Sequence, residues 1–361
     1  MSKPRVLVWG FSNNRAGTES VVSNYVKCLS DKMVFDVMSY EPTPNYNSLF
    51  ECENSLITVP ARSESFCQYK RFVRRFFDDL AEQYDAVWCN LNSYSNIDVL
   101  RYSNDAGIKR RILHAHNSMP VGTRVQRILH RMNQRKAISL ATDYWACSKK
   151  AGDYFFGSNS YIVLPNAIDY SRYSYNAECG LAYRSKLGVP DGCLFVGTAG
   201  RLCHQKNLFW LIEFIESQAL NNVDVVCAIA GEGELADELK RKVKEKKLSD
   251  RILLLGSIKD ISEYYSALDV FLLPSLFEGL PVALLEAQAN GLPCLVSDTV
   301  STESSICKNC FFLPLNDFAV WGEMMRRTAR VPFNQNTPTA MRFSLSTQAD
   351  RLYSLFTEGE Q

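Results

Sequence analysis

The sequence predicts an α/β protein in which parallel sheets are divided between two domains, and three observations support this. Short apolar runs of strand length alternate with helical segments from the N-terminus onwards, which is the pattern of βαβ units. The run Val270–Leu273 is apolar at every position, as expected of a strand buried on both faces of a parallel sheet. A chain of 361 residues is too long for one ordinary core and suits two domains of common size.

In the first half of the chain, apolar runs predict strands at residues 6–9, 35–38, 56–59, 86–90, 111–115, 142–146 and 161–164. Helices fit between them, notably at 18–29 and 124–140. The loop after the first strand lacks the Gly-x-Gly-x-x-Gly fingerprint, which argues against a dinucleotide cofactor. His114 and His116 stand at the end of the fifth predicted strand, so at least one of them should emerge at the carboxyl edge of the sheet. A structural imidazole is the alternative for either.

A second α/β unit begins at residues 193–200 and runs into the motif Gly-Arg-Leu-Cys-His-Gln-Lys-Asn at 200–207. The strand end delivers Arg201 and Lys206 into a loop just before a helix predicted at 208–217. Arginine can chelate two phosphoryl oxygens, lysine acts as a point charge, and a helix N-terminus favours anions. We therefore expect Arg201 and Lys206 to converge on one diphosphate, with solvated surface cations as the alternative.

The stretch 269–298 predicts a strand, an acidic turn, a short helix and a second strand. Pro281 stands where a first helical turn tolerates proline, and Gly291 stands where a left-handed cap would end the helix. This arrangement puts Glu278 in the turn and Glu286 inside the helix. Because α/β proteins bind phosphorylated ligands at such helix N-termini, the two glutamates are candidate ligand contacts. Two solvated helix residues are the alternative.

The remaining segments complete the second unit. Strands are predicted at 225–230 and 252–255, with a lysine-rich amphipathic helix at 234–247 between them. Beyond residue 298 the sequence predicts a loop at 311–313, a helix near 317–330, a proline-marked surface connection at 332–338 and a final helix at 344–356.

Charge is unevenly distributed along the chain, although the formal net charge is only +1. Residues 1–180 hold 22 Lys and Arg against 17 Asp and Glu, and the remainder hold 18 against 22. Basic clusters of the first half include Lys70, Arg71, Arg74 and Arg75; Lys109, Arg110 and Arg111; and Arg124, Arg127, Arg131, Arg135 and Lys136. Spacings of three and four put several of these cations on one helical face. They indicate either a solvated surface or contact with anionic lipid or a lipid-diphosphate acceptor. No recognised module supports nucleic-acid binding.

The composition is that of an ordinary globular protein. No apolar run approaches the roughly 18 residues that span a bilayer, and the N-terminus lacks the features of a signal peptide. We expect a cytoplasmic location, with peripheral contact to the inner face of the cell membrane left open. The 12 cysteines are scattered among apolar positions, as expected of free thiols in a reducing cytosol. Cys307 and Cys310 form the only close pair, which is weak support for zinc or redox chemistry.

The context of the two glutamates, Phe-Glu-Gly-Leu-Pro…Glu-Ala…Gly-Leu-Pro, resembles the signature of the retaining nucleotide-sugar glycosyltransferases of family four. The resemblance covers nearly the whole chain. It implies the α/β fold called GT-B: two Rossmann-like domains facing across a deep cleft, with a C-terminal helix that returns to the first domain. The implied division is an acceptor-side domain at 1–168, a linker at 169–190, a nucleotide-sugar-binding domain at 191–338 and the C-terminal helix at 339–361.

The resemblance also implies roles for individual residues. Glu278 would lie by the donor sugar and Glu286 would bind the ribose, while Arg201 and Lys206 match a Gly-Arg-Leu…Lys-Asn pattern and would stabilise the diphosphate. His116 best matches a histidine that hydrogen-bonds the donor sugar, with His114 as the second choice. Residues 16–19 resemble a Gly-Gly-x-Glu turn that offers backbone N–H groups to the diphosphate, but Ala16 departs from it, so only Gly17 is carried over. The implied catalytic residues are Glu278, His116, Arg201 and Lys206, and the implied substrate-binding residues are Gly17, Arg201, Lys206, Asn207, Gly279, Leu280 and Glu286.

Three segments, at 114–118, 143–150 and 165–169, look most like the bacterial capsular and exopolysaccharide branch of that family. The implied function is transfer of a hexose, with retention, from a sugar nucleotide to a lipid-linked oligosaccharide; a UDP-sugar is favoured. An Asp-x-Asp motif is absent, so neither a metal nor another cofactor is expected. Two alternatives are a sugar-nucleotide epimerase of the same fold and a non-catalytic nucleotide-sugar-binding partner in an assembly complex.

Overall fold

The structure is a computed structural model that describes residues 3–12, 17–41, 44–50, 53–119 and 123–358, with residues 44 and 45 described by their backbone alone. It divides into two compact units. The first comprises Met1–Ala167 and Leu345–Gln361, and the second comprises Ile168–Ser344. Each unit is built on a parallel sheet with helices in the connections.

Within its described residues, the first unit has a seven-stranded sheet. Its strands are β1 (Arg5–Trp9), β2 (Val34–Ser39), β3 (Ser55–Thr58), β4 (Ala86–Leu91), β5 (Arg110–Ala115), β6 (Asp143–Ala146) and β7 (Ile162–Val163). Its helices before the second unit are α1 (Gly17–Leu29), α2 (Phe66–Leu80), α3 (Asp98–Asp105), α4 (Arg124–Leu140) and α5 (Lys149–Phe156). The strand order is β3-β2-β1-β4-β5-β6-β7, and all neighbours are parallel.

This order places a topological switch point between β1 and β4, because the chain builds outwards from β1 in one direction and from β4 in the other. In open α/β sheets, ligands bind outside the carboxyl ends of the strands at such a point. Gly10 follows β1 there with a φ of +90°, and a Cβ on it would lie 1.8 Å from the Asn90 carbonyl oxygen. Only glycine fits this close approach of the two strand ends.

Within its described residues, the second unit has a six-stranded parallel sheet in the order β10-β9-β8-β11-β12-β13. The strands are β8 (Leu194–Ala199), β9 (Val225–Ala230), β10 (Ile252–Gly256), β11 (Val270–Leu273), β12 (Cys294–Ser297) and β13 (Cys310–Leu313). The helices are α6 (Ala177–Lys186), α7 (Leu208–Leu220), α8 (Ala236–Glu245), α9 (Ile261–Ala267), α10 (Val282–Ala289), α11 (Phe318–Arg327) and α12 (Pro338–Met341). The switch point lies between β8 and β11.

The prediction of a loop at 311–313 is wrong. These residues belong to β13, which pairs with β12 in register from Cys294 opposite Cys310 to Ser297 opposite Leu313. The run Cys-Phe-Phe-Leu is short and apolar, so it is a suitable edge strand. The expected helix end at Gly291 is confirmed, because this residue follows α10 with a φ of +74°.

Residues 169–190 were predicted to form a linker. In the structure they belong to the second unit and pack against its other elements. A 3₁₀ turn spans Tyr170–Tyr173, and α6 follows. Gly180 on α6 lies so close to α9 that a Cβ on it would be 2.4 Å from the Ser266 carbonyl oxygen. Arg184 pairs with Asp269 at 3.0 Å, which joins α6 to the residue before β11.

The final helix, α13 (Leu345–Thr357), returns to the first unit, as expected from the resemblance. Arg110 at the start of β5 donates from Nη1 to the carbonyl oxygens of Leu355 at 2.7 Å and Phe356 at 2.9 Å. The Phe356 ring packs edge-on against Trp88 and Trp145 of the first sheet. The C-terminal segment therefore completes the core of the first unit.

Candidate functional site

In the second unit, the loops that follow β8 and β11 meet at the switch point. The loop after β8 carries Arg201 and Lys206, and the loop after β11 carries Glu278. A backbone hydrogen bond from Leu276 N to the Gln205 carbonyl oxygen, at 2.9 Å, ties the two loops together. The sheet topology thus brings together residues that are more than 70 positions apart in the sequence.

Lys206 and Glu278 form an ion pair at this point. Lys206 Nζ donates to Glu278 Oε1 at 2.7 Å, and the side chains are only 15% and 8% exposed. Gln205 Nε2 donates to Glu278 Oε2 at 3.0 Å and to the Phe277 carbonyl oxygen at 2.9 Å. Both carboxylate oxygens are therefore held in place. The arrangement offers a cation and an acceptor within one small volume.

Arg201 does not share this carboxylate. Its Nη2 pairs with Glu234 Oε2 at 3.1 Å, and both side chains are more than half exposed. The structure places Arg201 next to Gly200, whose φ is +147° and over which the Lys206 side chain passes, with Lys206 Cε 3.0 Å from the position of a Cβ. Arg201 and Lys206 therefore lie in one loop but pair with different carboxylates, and their convergence on one diphosphate stays a prediction.

Two further glycines bring the loop after β9 against the loop after β8. A Cβ on Gly231, whose φ is +132°, would lie 2.0 Å from the Gly200 carbonyl oxygen, and one on Gly233 would lie 2.4 Å from that of Leu202. Asn207, predicted as a ligand contact, has a φ of +54° immediately before α7. Asparagine tolerates this left-handed conformation better than most residues do. Asn207 thus turns the chain from the loop into α7.

Glu286, on α10, accepts two tyrosine hydroxyls. Tyr173 donates to Oε1 and Tyr265 donates to Oε2, both at 2.8 Å. Burial raises the pKa of Glu286, while the two tyrosine hydrogen bonds lower it. The predicted contacts Gly279 and Leu280 are buried in the turn between Glu278 and α10. This turn follows β11 and connects Glu278 to α10, the helix that carries Glu286.

In the first unit, His116 follows β5 and lies among amides. Its Nε2 is 2.8 Å from Asn90 Oδ1 and its Nδ1 is 3.3 Å from Asn166 Oδ1. Burial lowers the pKa of His116 to about 4, so the imidazole is neutral at pH 7. A neutral ring has one N–H, which can be donated, and one acceptor nitrogen.

His114 lies two residues earlier, inside β5. Trp88 Nε1 donates to its Nδ1 at 3.3 Å, the ring stacks on Trp88, and the side chain is buried. Burial also lowers the pKa of His114, well below its ordinary value. The environment of His114 is therefore that of an aromatic core, whereas His116 lies among polar side chains.

Gly17 is the first residue of α1 and is exposed. Ala16, which departs from the resembling motif, lies outside the described residues. Next to Gly17, Thr18 Oγ1 accepts from Asn92 Nδ2 at 3.4 Å, which joins α1 to the residue after β4. Glu19 Oε1 accepts from Ser12 Oγ at 2.6 Å. The start of α1 thus lies at the switch point of the first sheet.

Several polar residues of these sites were not singled out from the sequence. Gln205 stands inside the motif at 200–207, and Asn166 stands inside the segment at 165–169, so motif membership was a usable signal for both. Tyr173 and Tyr265 lie 113 and 21 positions from Glu286. No sequence pattern connects them with a glutamate, so their role required the tertiary structure.

The described residues also bear on metal binding and on membrane insertion. In the part of the chain that the structure describes, no group of three or more His, Cys, Asp or Glu side chains could hold a metal ion. Cys307 and Cys310 are free thiols there, and burial raises the pKa of each. No helix among the described residues has the length and apolar character needed to cross a bilayer.

Comparison with known proteins is consistent with this geometry. Residues 181–313 match the model of the family described as glycosyl transferases group 1. The chain is 29% identical over 345 residues to EpsF of Bacillus subtilis, a glycosyltransferase by name, with 91% of this chain and 88% of EpsF covered. It is 38% identical over 161 residues to the Escherichia coli UDP-Gal:α-D-GlcNAc-diphosphoundecaprenol α-1,3-galactosyltransferase, covering 43% of this chain and 41% of that protein.

Among solved structures, the crystal structure of Anabaena HepE in complex with UDP and glucose is similar, with a TM-score of 0.79. The alignment covers 98% of this chain and 99% of HepE at 19% identity. At this identity the likeness shows the fold, and it confirms the predicted pair of Rossmann-like GT-B domains.

Proposed function

The chain contains a glycosyl transferases group 1 domain at residues 181–313, and from this premise we propose that it is a retaining hexosyltransferase. A hexose would pass from a UDP-sugar to a lipid-linked oligosaccharide in bacterial surface polysaccharide synthesis. The observation that carries the proposal is the ion pair of Lys206 and Glu278 at the switch point of the second sheet, 2.7 Å apart. A diphosphate needs such a cation, and the hydroxyls of a sugar need such an acceptor.

The donor chemistry follows from where the side chains lie. Lys206 and Gln205 hold Glu278 at both carboxylate oxygens, so its proposed role is to anchor the donor sugar rather than to act as a general base. Glu286 is the acceptor for the ribose hydroxyls. The choice of UDP and a hexose is supported by HepE, which is solved with UDP and glucose, and by the E. coli relative, which is named for UDP-galactose.

The rate would come from stabilising the departing phosphate. Negative charge on the leaving nucleotide diphosphate rises as the glycosidic bond breaks, and preorganised cations favour that state. Lys206 is largely buried beside Glu278. Arg201 is exposed and can leave Glu234 to meet the diphosphate. In a front-face reaction the departing phosphate takes the proton of the attacking hydroxyl, so the protein need not supply a base. Gly17 is proposed to offer its backbone N–H to a diphosphate.

His116 would serve as a neutral hydrogen-bonding group. Its pKa of about 4 keeps it uncharged under physiological conditions. A neutral imidazole has one N–H, so it can donate to only one of the two amide oxygens beside its nitrogens, and the other nitrogen can exchange its contact for a sugar hydroxyl without adding charge. Because Asn90 and Asn166 hold the two ring nitrogens, the ring orientation is defined before a ligand arrives.

The proposed acceptor is a lipid diphosphate, and helix α4 supports contact with an anionic membrane. His130, Ala137 and Leu140 form its buried side. The outward side carries exposed cations, Arg124, Arg127, Arg131, Arg135 and Lys136. The same side exposes Val125, Ile128 and Met132, each by half or more. Apolar groups flanked by cations are typical of helices that lie in the interface of an anionic bilayer.

A two-step experiment tests the proposal. UDP-, GDP- and dTDP-sugars are first compared by thermal shift; a UDP-hexose at about 100 times its Kd should add ~2.7 kcal/mol to the free energy of unfolding. The stabilising donor is then incubated with a lipid-diphosphate-linked sugar, and the product anomer is determined by NMR. Transfer with retention, unchanged by a chelator, is expected because the proposed site uses no metal.

The alternatives have distinct outcomes in the same assay. Conversion of the donor alone into an epimer would identify an epimerase. Binding of the donor without hydrolysis or transfer, with any acceptor offered, would identify a binding partner. An inverted anomer, or activity lost with chelator and restored by manganese, would overturn the proposed mechanism.

A further inference from the structure

We propose that Tyr173 and Tyr265 are positioning residues that hold the Glu286 carboxylate in the orientation that grips two ribose hydroxyls, and that Arg330 locks the segments that carry them. The inference rests on the proposed role of Glu286 toward the nucleotide. Neither tyrosine nor Arg330 belongs to the motifs that suggested the site. All of the residues involved lie in the second unit.

The two tyrosines approach Glu286 from separate segments. Tyr173 ends the 3₁₀ turn at Tyr170–Tyr173, and Tyr265 lies on α9. Each donates its hydroxyl to a different carboxylate oxygen, both at 2.8 Å. A carboxylate bound at both oxygens cannot rotate without losing a hydrogen bond. Each oxygen keeps a lone pair, so the two remaining acceptor directions suit the vicinal hydroxyls of a ribose.

The environment makes this support necessary. Tyr265 is fully buried and Tyr173 nearly so, and burial raises the pKa of the Glu286 carboxyl. A protonated carboxyl would donate as well as accept and would lose the charge-assisted hydrogen bonds that a carboxylate makes. The hydroxyl donors lower the pKa again, as does the charge of Arg172. The tyrosines therefore favour the ionised form as well as the orientation.

A second layer fixes the backbone of these segments. Asn290, which follows α10, donates from Nδ2 to the Tyr173 carbonyl oxygen at 2.8 Å. Arg330 Nη1 donates to the Asn290 carbonyl oxygen at 2.7 Å, and Nη2 donates to those of Tyr265 at 3.0 Å and Leu268 at 2.8 Å. One guanidinium thus binds carbonyl groups at the C-terminal ends of both α9 and α10, where a cation is favoured.

The geometry of this second layer suits arginine rather than lysine. The planar fork of the guanidinium reaches several carbonyl oxygens at once, which a point-charge ammonium cannot do. The guanidinium also lies 4.1 Å from the centre of the Tyr175 ring. Arg330 therefore fixes the position of α9, which carries Tyr265, relative to α10, which carries Glu286. It contacts neither carboxylate oxygen itself.

Two buried tyrosines in the same unit provide matched controls. The Tyr264 hydroxyl lies 2.9 Å from the Thr198 carbonyl oxygen and 2.8 Å from that of Ala228. Tyr170 donates to the Ala340 carbonyl oxygen at 2.7 Å. Tyr264 is the chain neighbour of Tyr265, and Tyr170 begins the turn that Tyr173 ends. Each control loses a buried hydroxyl that does not touch Glu286.

The test compares UDP with 2′-deoxy-UDP by titration calorimetry on the full chain. Wild-type protein should prefer UDP by ~10-fold or more, since one hydrogen bond to a charged group separates the two ligands. Glu286→Gln should lose most of this preference. Tyr173→Phe and Tyr265→Phe should each reduce it at least ~3-fold, and Arg330→Lys should reduce it in the same direction. Tyr264→Phe and Tyr170→Phe should lower the Tm but keep the wild-type preference.

The outcomes separate the inference from the proposed function. If wild-type protein fails to bind UDP, or binds both ligands equally, the assignment of the nucleotide site itself is wrong. If wild-type and Glu286→Gln behave as expected while Tyr173→Phe and Tyr265→Phe keep the full ribose preference, only the positioning role is wrong. Equal loss of preference in the control variants would show a general structural effect and would also overturn the inference.

Discussion

At the switch point of the first sheet the chain leaves β1 and β4, and at that of the second it leaves β8 and β11. Around the first, His116 lies between the amides of Asn90 and Asn166. Around the second, Lys206 and Glu278 form a nearly buried ion pair. Topology is therefore the same at both places, and the side chains decide which ligand each can take. A neutral, hydrogen-bonding environment suits sugar hydroxyls, whereas the charged one suits a diphosphate and the sugar attached to it.

The contrast has an energetic side as well. A buried charge is tolerated only when it is paired and hydrogen-bonded, so Lys206 and Glu278 depend on each other and on Gln205. The imidazole of His116 avoids the same cost by remaining neutral. Substitutions of Lys206 or Glu278 should therefore affect folding and activity together, and those of His116 should act mainly through pH.

The largest effect is expected for Lys206→Ala. This change leaves Glu278 buried without its cation, which typically costs ~3–5 kcal/mol of folding stability, and removes a phosphate-stabilising charge worth roughly 10²–10³ in turnover. Urea unfolding and the initial rate of transfer measure the two effects. The matched control is Arg241→Ala, which breaks an exposed pair with Glu245 on α8 and should change neither. An intact rate in Lys206→Ala would remove the basis of the comparison between the two switch points.

Arg201→Ala should be the next largest and should separate activity from stability. The side chain is exposed and paired with exposed Glu234, so the free energy of unfolding should stay within about 0.5 kcal/mol of wild type. Turnover should nevertheless fall by roughly 10²-fold, since the guanidinium is proposed to meet the departing diphosphate. Glu234→Ala serves as the control, because it removes the ion pair but keeps the cation. Near-normal transfer by folded Arg201→Ala would refute this role.

Arg201 also shows what the sequence could and could not predict. Its position after a strand end, in the same loop as Lys206, followed from the alternation of strands and helices. Its ion-pair partner could not be predicted, because Glu234 follows a different strand and exposed side chains pair with whatever lies within reach. The convergence of Lys206 and Glu278 was easier to predict, since both follow parallel strands and parallel strands end at one edge.

The two tyrosines that donate to Glu286 were the hardest part of the site to predict from the sequence. The sequence predicts Glu286 inside a helix, which the structure confirms. No sequence pattern predicts that hydroxyls from the 3₁₀ turn and from α9 would meet this carboxylate. Their burial resembles that of many core tyrosines, such as Tyr264, and only the contacts distinguish them. Residues 311–313 were predicted wrongly for a related reason, because a run of three apolar residues carries too little period to distinguish a strand from a loop.

A third prediction concerns the outer surface of the first unit. The double change Arg127→Ala and Arg131→Ala removes two exposed cations from α4, each worth about 1 kcal/mol beside an anionic bilayer. Binding to vesicles that contain one-quarter anionic lipid should weaken by roughly 30-fold, with no change in the binding of UDP. Removing Arg74 and Arg75, which pair with Asp78 and Asp79 on α2, is the matched control and should have a smaller effect. Equal losses from the two helices would show that net charge, rather than the face of α4, determines the contact.

The smallest effect is expected for the pH dependence that His116 confers. Its pKa falls from 6.5 to about 4 on folding, so the unfolded chain takes up the proton first as the pH is lowered. Stability is therefore undiminished above about pH 6.5, falls as the pH drops towards 4 and levels off below it; at pH 5 the loss is ~2 kcal/mol. His114, whose ring lies 4.1 Å away and whose pKa is also lowered, adds to the same trend. His116→Gln should reduce the difference in unfolding free energy between pH 7 and pH 5 by about this amount, whereas His204→Gln, at an exposed position of the second unit, should leave it unchanged. An unaltered difference in His116→Gln would mean that the neutral imidazole is not what distinguishes the first switch point from the charged second one.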